Sequence, residues 1–124
     1  MKTKNTLVLA MLAALGFTAP SLAGDAVLGE KVFRKCKACH SMEAGKRMIG
    51  PTLAGVFGRT AGTVEGFKYS KGMIAYGQVW TDETMAEYLK APRKVVRGTK
   101  MAFAGLRKPA DTDNLLAYLR ENGG

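Results

Sequence analysis

Both cysteines and the only histidine of this chain fall within five residues, Cys36-Lys37-Ala38-Cys39-His40. On one helical turn, positions i, i+3 and i+4 share a face. Two thiols and one imidazole are therefore presented together. A Cys-x-x-Cys-His run is the attachment signature of c-type haem. Cys36 and Cys39 can each form a thioether to a haem vinyl group, and His40 then points at the iron from the same side. Other chemistries use similar spacings. A thioredoxin-like redox pair expects a βαβ pattern, which the sequence lacks. A zinc site needs about four ligands, and two of the three Cys and His side chains here are adjacent. A local disulfide in an exported, basic interaction module is the third alternative.

The 124 residues are enough for one domain. Lys2 and Lys4 precede an apolar run, Leu7 to Phe17, which ends in Pro20-Ser21-Leu22-Ala23. That is the pattern of an export signal cut after Ala23, and the run is short for a bilayer span. We expect a signal peptide over residues 1–23, one domain over 24–124, and a periplasmic location. An uncleaved anchor helix is the other reading of the same residues. A domain of this size has a small core, to which a buried haem would add a large apolar body. Thioether attachment also needs reduced cysteines and is completed outside the bacterial cytoplasm. Lys and Arg number 19 against 10 Asp and Glu, a formal charge of +9. Such a surface favours acidic partners or anionic membranes. Scattered charges on an exported chain argue against nucleic acid.

Asp25 is placed to cap a helix from about Ala26 to Ala38, with Leu28, Val32, Cys36 and Cys39/His40 on one face. Ser41 to Val79 shows neither a sustained helical period nor strand alternation, and glycines punctuate it. A structureless loop of that length is unusual, and here it points to a cofactor. Ile49, Leu53, Val56, Phe57, Phe67, Tyr69, Ile74 and Trp80 need an apolar body to cover. Short helices are expected around Leu53–Phe57 and Ser70–Ala75. Thr81-Asp82-Glu83 reads as a helix start, and Pro92 as its stop. Arg93 to Lys108 reads as a basic loop. Asp111 to Asn122 reads as the last helix, with Leu115, Leu116, Tyr118 and Leu119 as its apolar face.

With one histidine, bis-histidine ligation of a haem iron is excluded, so a lysine or methionine must fill any sixth position. A Met/His pair raises the potential of cytochromes c. Of seven methionines, Met1 and Met11 leave with the signal. Met42 and Met48 lie close to His40 in sequence, and Met85 fits a core stripe. Met73 and Met101 remain. Met101 is the better candidate, because it lies far enough along the chain to wrap around the ring and sits in a loop between two helices. An ordinary apolar plug is the competing role for either methionine.

The ordered motifs resemble class I cytochrome c, particularly its bacterial periplasmic members. They are Gly29-Glu30-Lys31-Val32-Phe33, the haem pentapeptide, Gly50-Pro51-Thr52-Leu53, Gly55-Val56-Phe57-Gly58-Arg59, and Gly66-Phe67-Lys68-Tyr69. Trp80, Tyr88-Leu89, Pro92, Gly98-Thr99-Lys100-Met101 and Leu115-Leu116-Ala117-Tyr118-Leu119 complete the set. The resemblance implies an all-α cytochrome c fold, with about three main helices and long loops wrapped around one covalent haem c. It implies His40 and Met101 as axial ligands. The Pro51 carbonyl would orient His40, and Tyr88 would lie near the Met101 sulfur. Thr99 would lie near a haem propionate. Arg59, Tyr69 and Trp80 would surround the inner propionate, and Phe103 would cover the exposed haem edge. Gly29 would let the first and last helices cross closely at Leu115 and Tyr118.

The resemblance further implies a monomeric electron carrier rather than an enzyme. Its donor would be a quinol-cytochrome c reductase-type complex, and its acceptor an oxidase, reaction centre or peroxidase. Lys37, Lys46, Lys71, Lys94, Lys100 and Arg107 are candidates for docking acidic partners. A ligand-binding haem sensor or weak peroxidase with an open sixth position is the alternative function. Two features depart from the mitochondrial members. Met73 stands where they carry an asparagine near the inner propionate, and the segment between His40 and Pro51 is one residue shorter.

Overall fold

The computed structural model describes Ala14, Gly16 and residues 24–124. The signal expected over 1–23 otherwise lies outside the described residues. Five helices form: α1 (Ala26–Phe33), α2 (Lys71–Tyr76), α3 (Asp82–Lys90), α4 (Pro92–Val95) and α5 (Pro109–Glu121). The described residues contain no extended strand, only an isolated antiparallel bridge between Thr60 and Val79. The architecture is the expected all-α one, with α1, α3 and α5 as the main helices.

Local chemistry explains where these helices begin. Asp25 accepts from the Val27 and Leu28 amides at 2.8 and 3.2 Å, satisfying N–H groups that the first turn leaves without partners. Thr81 and Thr84 form a reciprocal capping box at the start of α3, followed by Asp82 and Glu83 beside the positive end of the helix dipole. Ser70 caps α2, and Gly77 closes it in the left-handed conformation. Pro109 occupies the first turn of α5, where its missing N–H costs nothing.

Several boundaries differ from those expected. Regular helix in α1 stops at Phe33 rather than Ala38. Beyond it the Cys36 amide donates to Phe33 O, three residues back, at 2.8 Å, so the backbone tightens into turns. Leu53–Phe57 is a pair of turns, not a helix. Pro92 ends α3 but also starts α4 inside the expected basic loop, because proline suits a first helical turn. Leu28 points outward at 45% exposure, while Gly29, one residue on, takes the buried side of α1.

That glycine fixes the main crossing. A Cβ built on Gly29 would run into the Asn114 carbonyl and come within 2.7 Å of Tyr118 Cβ. So α1 and α5 pack with almost no side chain between their backbones at this point. Phe33 stacks on Tyr118 nearby, with ring centroids 4.9 Å apart. Leu115, Leu116 and Leu119 of α5 join Met85, Tyr88 and Leu89 of α3 in the core. The long loop returns to this frame through backbone bonds. Trp80 N donates to Arg59 O at 2.9 Å, and Gly55 N to Gly123 O at 2.7 Å.

Candidate functional site

Helices and long loop together enclose a largely apolar cleft of about 250 Å³. Cys36, Cys39 and His40 line it. The turns after α1 set them there: Cys39 N and His40 N both donate to Cys36 O, at 3.1 and 2.9 Å. The two cysteines are not joined to each other, and both are half-buried. Burial pushes the Cys36 thiol pKa up, Lys35 opposes this, and the neighbouring Cys39 adds to it.

His40 is held from behind. Its Nδ1 lies 2.8 Å from the Pro51 carbonyl. A carbonyl only accepts, so Nδ1 carries the proton and Nε2 keeps a free lone pair. Burial lowers the His40 pKa, the Pro51 bond opposes that shift, and Arg59 reinforces it. The shift favours the neutral ring, the form that binds a metal. Gly50 gives the ring its space. A Cβ there would sit 2.5 Å from His40 Cε1 and 2.8 Å from Nδ1.

Met101 and Met73 both line the cleft. The Met101 amide donates to Thr99 Oγ1 at 3.3 Å, and that hydroxyl pairs with Tyr88 OH at 2.8 Å. Lys100 Nζ donates to the Lys68 carbonyl at 2.8 Å, tying the methionine loop to the long loop. Helix α2 leans on the same segment, since a Cβ on Gly72 would strike the Arg97 carbonyl. The helix that carries Met73 thus packs against the segment that leads to Met101.

Arg59 lines the cleft with Tyr69 and Trp80. It donates to the carbonyls of Thr52 and Ala54 at 2.9 and 3.3 Å. Burial lowers its pKa, and Tyr69 pushes it back up. No carboxylate pairs with it among the described residues, whose ion pairs are Lys46–Glu43 and Arg120–Asp82. A half-buried guanidinium with only carbonyl partners suits an anionic group entering the cleft. Tyr69 OH accepts from the Val64 amide at 3.1 Å. Phe103 lines the cleft and is half-buried.

The donor set fits a haem. Two thiols, an imidazole with a free nitrogen, thioether sulfurs, apolar walls and an unpaired cation meet in one cleft. All eleven residues singled out for the site line it: Cys36, Cys39, His40, Pro51, Arg59, Tyr69, Trp80, Tyr88, Thr99, Met101 and Phe103. Three of the expected apolar covers do not take part as read. Phe57 is not part of the cleft wall and packs under the Arg120 guanidinium, 4.0 Å from its ring centroid. Ile49 reaches the cleft but is 79% exposed, and Ile74 is 61% exposed and turned away from it. The steric roles of Gly50 and Gly72 were missed. A glycine directly before Pro51 was the only available signal for the first.

The family model described as Cytochrome c matches residues 26–123. This chain belongs to the cytochrome c family. It is 52% identical over 88 residues to cytochrome c2 iso-2 of Magnetospirillum fulvum, spanning 71% of this chain and 92% of that protein. It is 41% identical over 116 residues to cytochrome c2 of Blastochloris viridis, spanning 93% and 91%. Its fold matches cytochrome cH from Methylobacterium extorquens with a TM-score of 0.75 and 42% identity, covering 79% of this chain and 99% of the other. Like other cytochromes c, the protein carries one covalent haem c and transfers electrons.

Tyr88 gives this family member a pH dependence that can be measured. Burial raises its pKa above 10.0, with the Thr99 hydrogen bond opposing and Tyr76 adding to the shift. Above pH 10.0 the unfolded chain releases this proton while the native protein holds it, so stability contributed below that pH is lost as pH rises. Tyr88→Phe loses the bond to Thr99, a net cost of about 1 kcal/mol, but also this titration. The stability gap between wild type and variant should narrow from about pH 9 to 11 in denaturant titrations. A constant gap would contradict the assignment.

Proposed function

We propose that this cytochrome c shuttles single electrons in the periplasm, with His40 and Met101 as the two axial ligands of its haem iron. Cys36 and Cys39 are the thioether anchors. The carrying observation is that His40, with Nε2 free, shares one apolar cleft with both cysteines and with Met101. When bound, the haem supplies a one-electron ferric/ferrous couple.

The chain's own residues do the rest. Pro51 fixes the His40 ring plane and raises its basicity as a ligand. Thr99 and Tyr88 hold the Met101 loop in one geometry, so neither ligand need move when the charge on the iron changes. Arg59, Tyr69, Trp80 and Thr99 receive the propionates, whose burial is costly without such partners. Phe103 covers the haem edge, and the apolar walls exclude water.

The domain begins at Gly24, after a signal peptide over 1–23. Asp25 N already donates to Asn114 Oδ1 at 2.8 Å, and Gly24 abuts the Asp113 carbonyl. Among the described residues no helix is long and apolar enough to cross a membrane. Lys37, Lys46, Lys71, Lys94, Lys100 and Arg107 are all exposed, which suits transient docking on acidic surfaces. The donor is a quinol-cytochrome c reductase-type complex. The acceptor is an oxidase, reaction centre or peroxidase. The protein acts as a monomer, and its electron transfer breaks no substrate bond.

Carbon monoxide tests the reading. The ferrous protein should bind it slowly, limited by release of Met101. Fast binding would indicate an open sixth position and a ligand-binding or peroxidase role.

A further inference from the structure

Trp80 stands between two tyrosines. Its ring centroid lies 5.5 Å from that of Tyr76 and 5.2 Å from that of Tyr88. Trp80 and Tyr88 are buried and line the cleft. Tyr76 closes α2, is half-buried, and is not part of the cleft wall. The three rings therefore run in sequence from the cleft to the end of α2. Tryptophan and tyrosine are the side chains that most readily give up one electron, and rings this close exchange electrons quickly.

The two ends differ. Oxidation of a tyrosine is favoured where a neighbouring base can take the phenolic proton. At the outer end, Tyr76 is half-buried, so water can take its proton. At the inner end, the hydrogen-bond partner of Tyr88 is the neutral Thr99 hydroxyl. An electron vacancy is thus better accommodated at Tyr76 than at Tyr88.

We propose that Tyr88, Trp80 and Tyr76 form a relay that carries oxidising equivalents out of the cleft, protecting the haem and the Met101 sulfur from hydroperoxides. The proposal rests on the reading of the cleft as the haem site. A hydroperoxide accepts two electrons and two protons, its O–O bond breaks, and an alcohol and water leave. The bound haem would supply one electron and the rings the other, solvent supplies the two protons, and a phenol or thiol returns one electron and one proton for each. The vacancy passes from Tyr88 through Trp80 to Tyr76, which loses one electron. Its phenolic proton goes to water. A phenol or thiol then returns one electron and one proton to Tyr76. Alternatively, two oxidised Tyr76 side chains couple through a ring carbon–carbon bond.

Simple aromatic packing would account for the ring contacts without any use for the Tyr76 hydroxyl. The test is hydrogen peroxide added to the haem-loaded protein, after the oxidised spectrum has shown methionine ligation. Haem bleaching, freeze-quenched radical signals and peptide mass mapping are then compared across variants. Wild type should give a tyrosyl radical and modification at Tyr76. Tyr76→Phe, which keeps the ring, should lose that radical, shift damage to Trp80, Tyr88 or Met101, and bleach several-fold faster. Tyr118→Phe is the control: Tyr118 stacks on Phe33, outside the relay, and its variant should behave as wild type. Equal bleaching of Tyr76→Phe and wild type, with no modification at Tyr76, would overturn the relay alone. Absence of covalent haem or of methionine ligation at the first step would overturn both the relay and the reading beneath it.

Discussion

Gly29→Ala should lower the thermal midpoint of the haem-loaded protein more than any other single-methyl insertion on the surface of α1. The added Cβ meets the Asn114 carbonyl and Tyr118 Cβ, which are backbone and near-backbone atoms with no rotamer to escape into. The helices must separate. Phe33 and Tyr118, stacked beside the crossing, separate with them. Overpacking of this kind costs about 1–3 kcal/mol, and for a domain of about 100 residues each kcal/mol is about 4–8 °C in midpoint. Alanine at exposed Glu30, on the same helix, should shift the midpoint by far less. Calorimetry on the two variants decides the point, and equal shifts would contradict the close crossing.

Gly50→Ala should disturb the iron ligand itself. The new Cβ would lie within 3.0 Å of three atoms of the His40 ring. The ring must rotate or retreat, which weakens the bond from Nδ1 to Pro51 O. Changes to groups that orient a metal ligand typically cost about 10–100-fold in metal affinity or activity. Because the thioethers keep the haem attached, the loss should show as a high-spin ferric fraction and a lower midpoint, not as loss of haem. A Gly50→Ala protein that stays fully low-spin with unchanged stability would show that the ring is not confined there.

Much of the site was legible because its chemistry is local. The thiols and imidazole sit within five residues, and any turn that brings i, i+3 and i+4 together presents them. The caps Asp25 and Thr81 were legible for the same reason, since each acts on amides two or three residues ahead. Apolar spacing was less reliable. Leu53 and Val56 have a helical interval, yet they are brought to the cleft by turns, with Arg59 holding the Thr52 and Ala54 carbonyls that a helix would have used. The α1 pattern ran past Phe33 because tight turns and helix share the i, i+3 interval. Ile49, Phe57 and Ile74 were read as covers on hydrophobicity alone, which does not fix a side chain's direction. The steric demands at Gly29, Gly50 and Gly72 arise between distant segments. For Gly29 the demand was legible only through family resemblance.

Three methionines line the cleft, but Met85 is buried in the core stripe of α3, so choosing between Met73 and Met101 is the decisive step. The absorption spectrum of the oxidised, haem-loaded protein tests it directly, beside Met101→Ala and Met73→Ala. The wild type and Met73→Ala should both show the weak near-red band of a methionine sulfur bound to ferric iron, and Met101→Ala should lack it. A wild type without the band, or a Met101→Ala protein that retains it, would contradict His40/Met101 ligation and the carrier mechanism built on it.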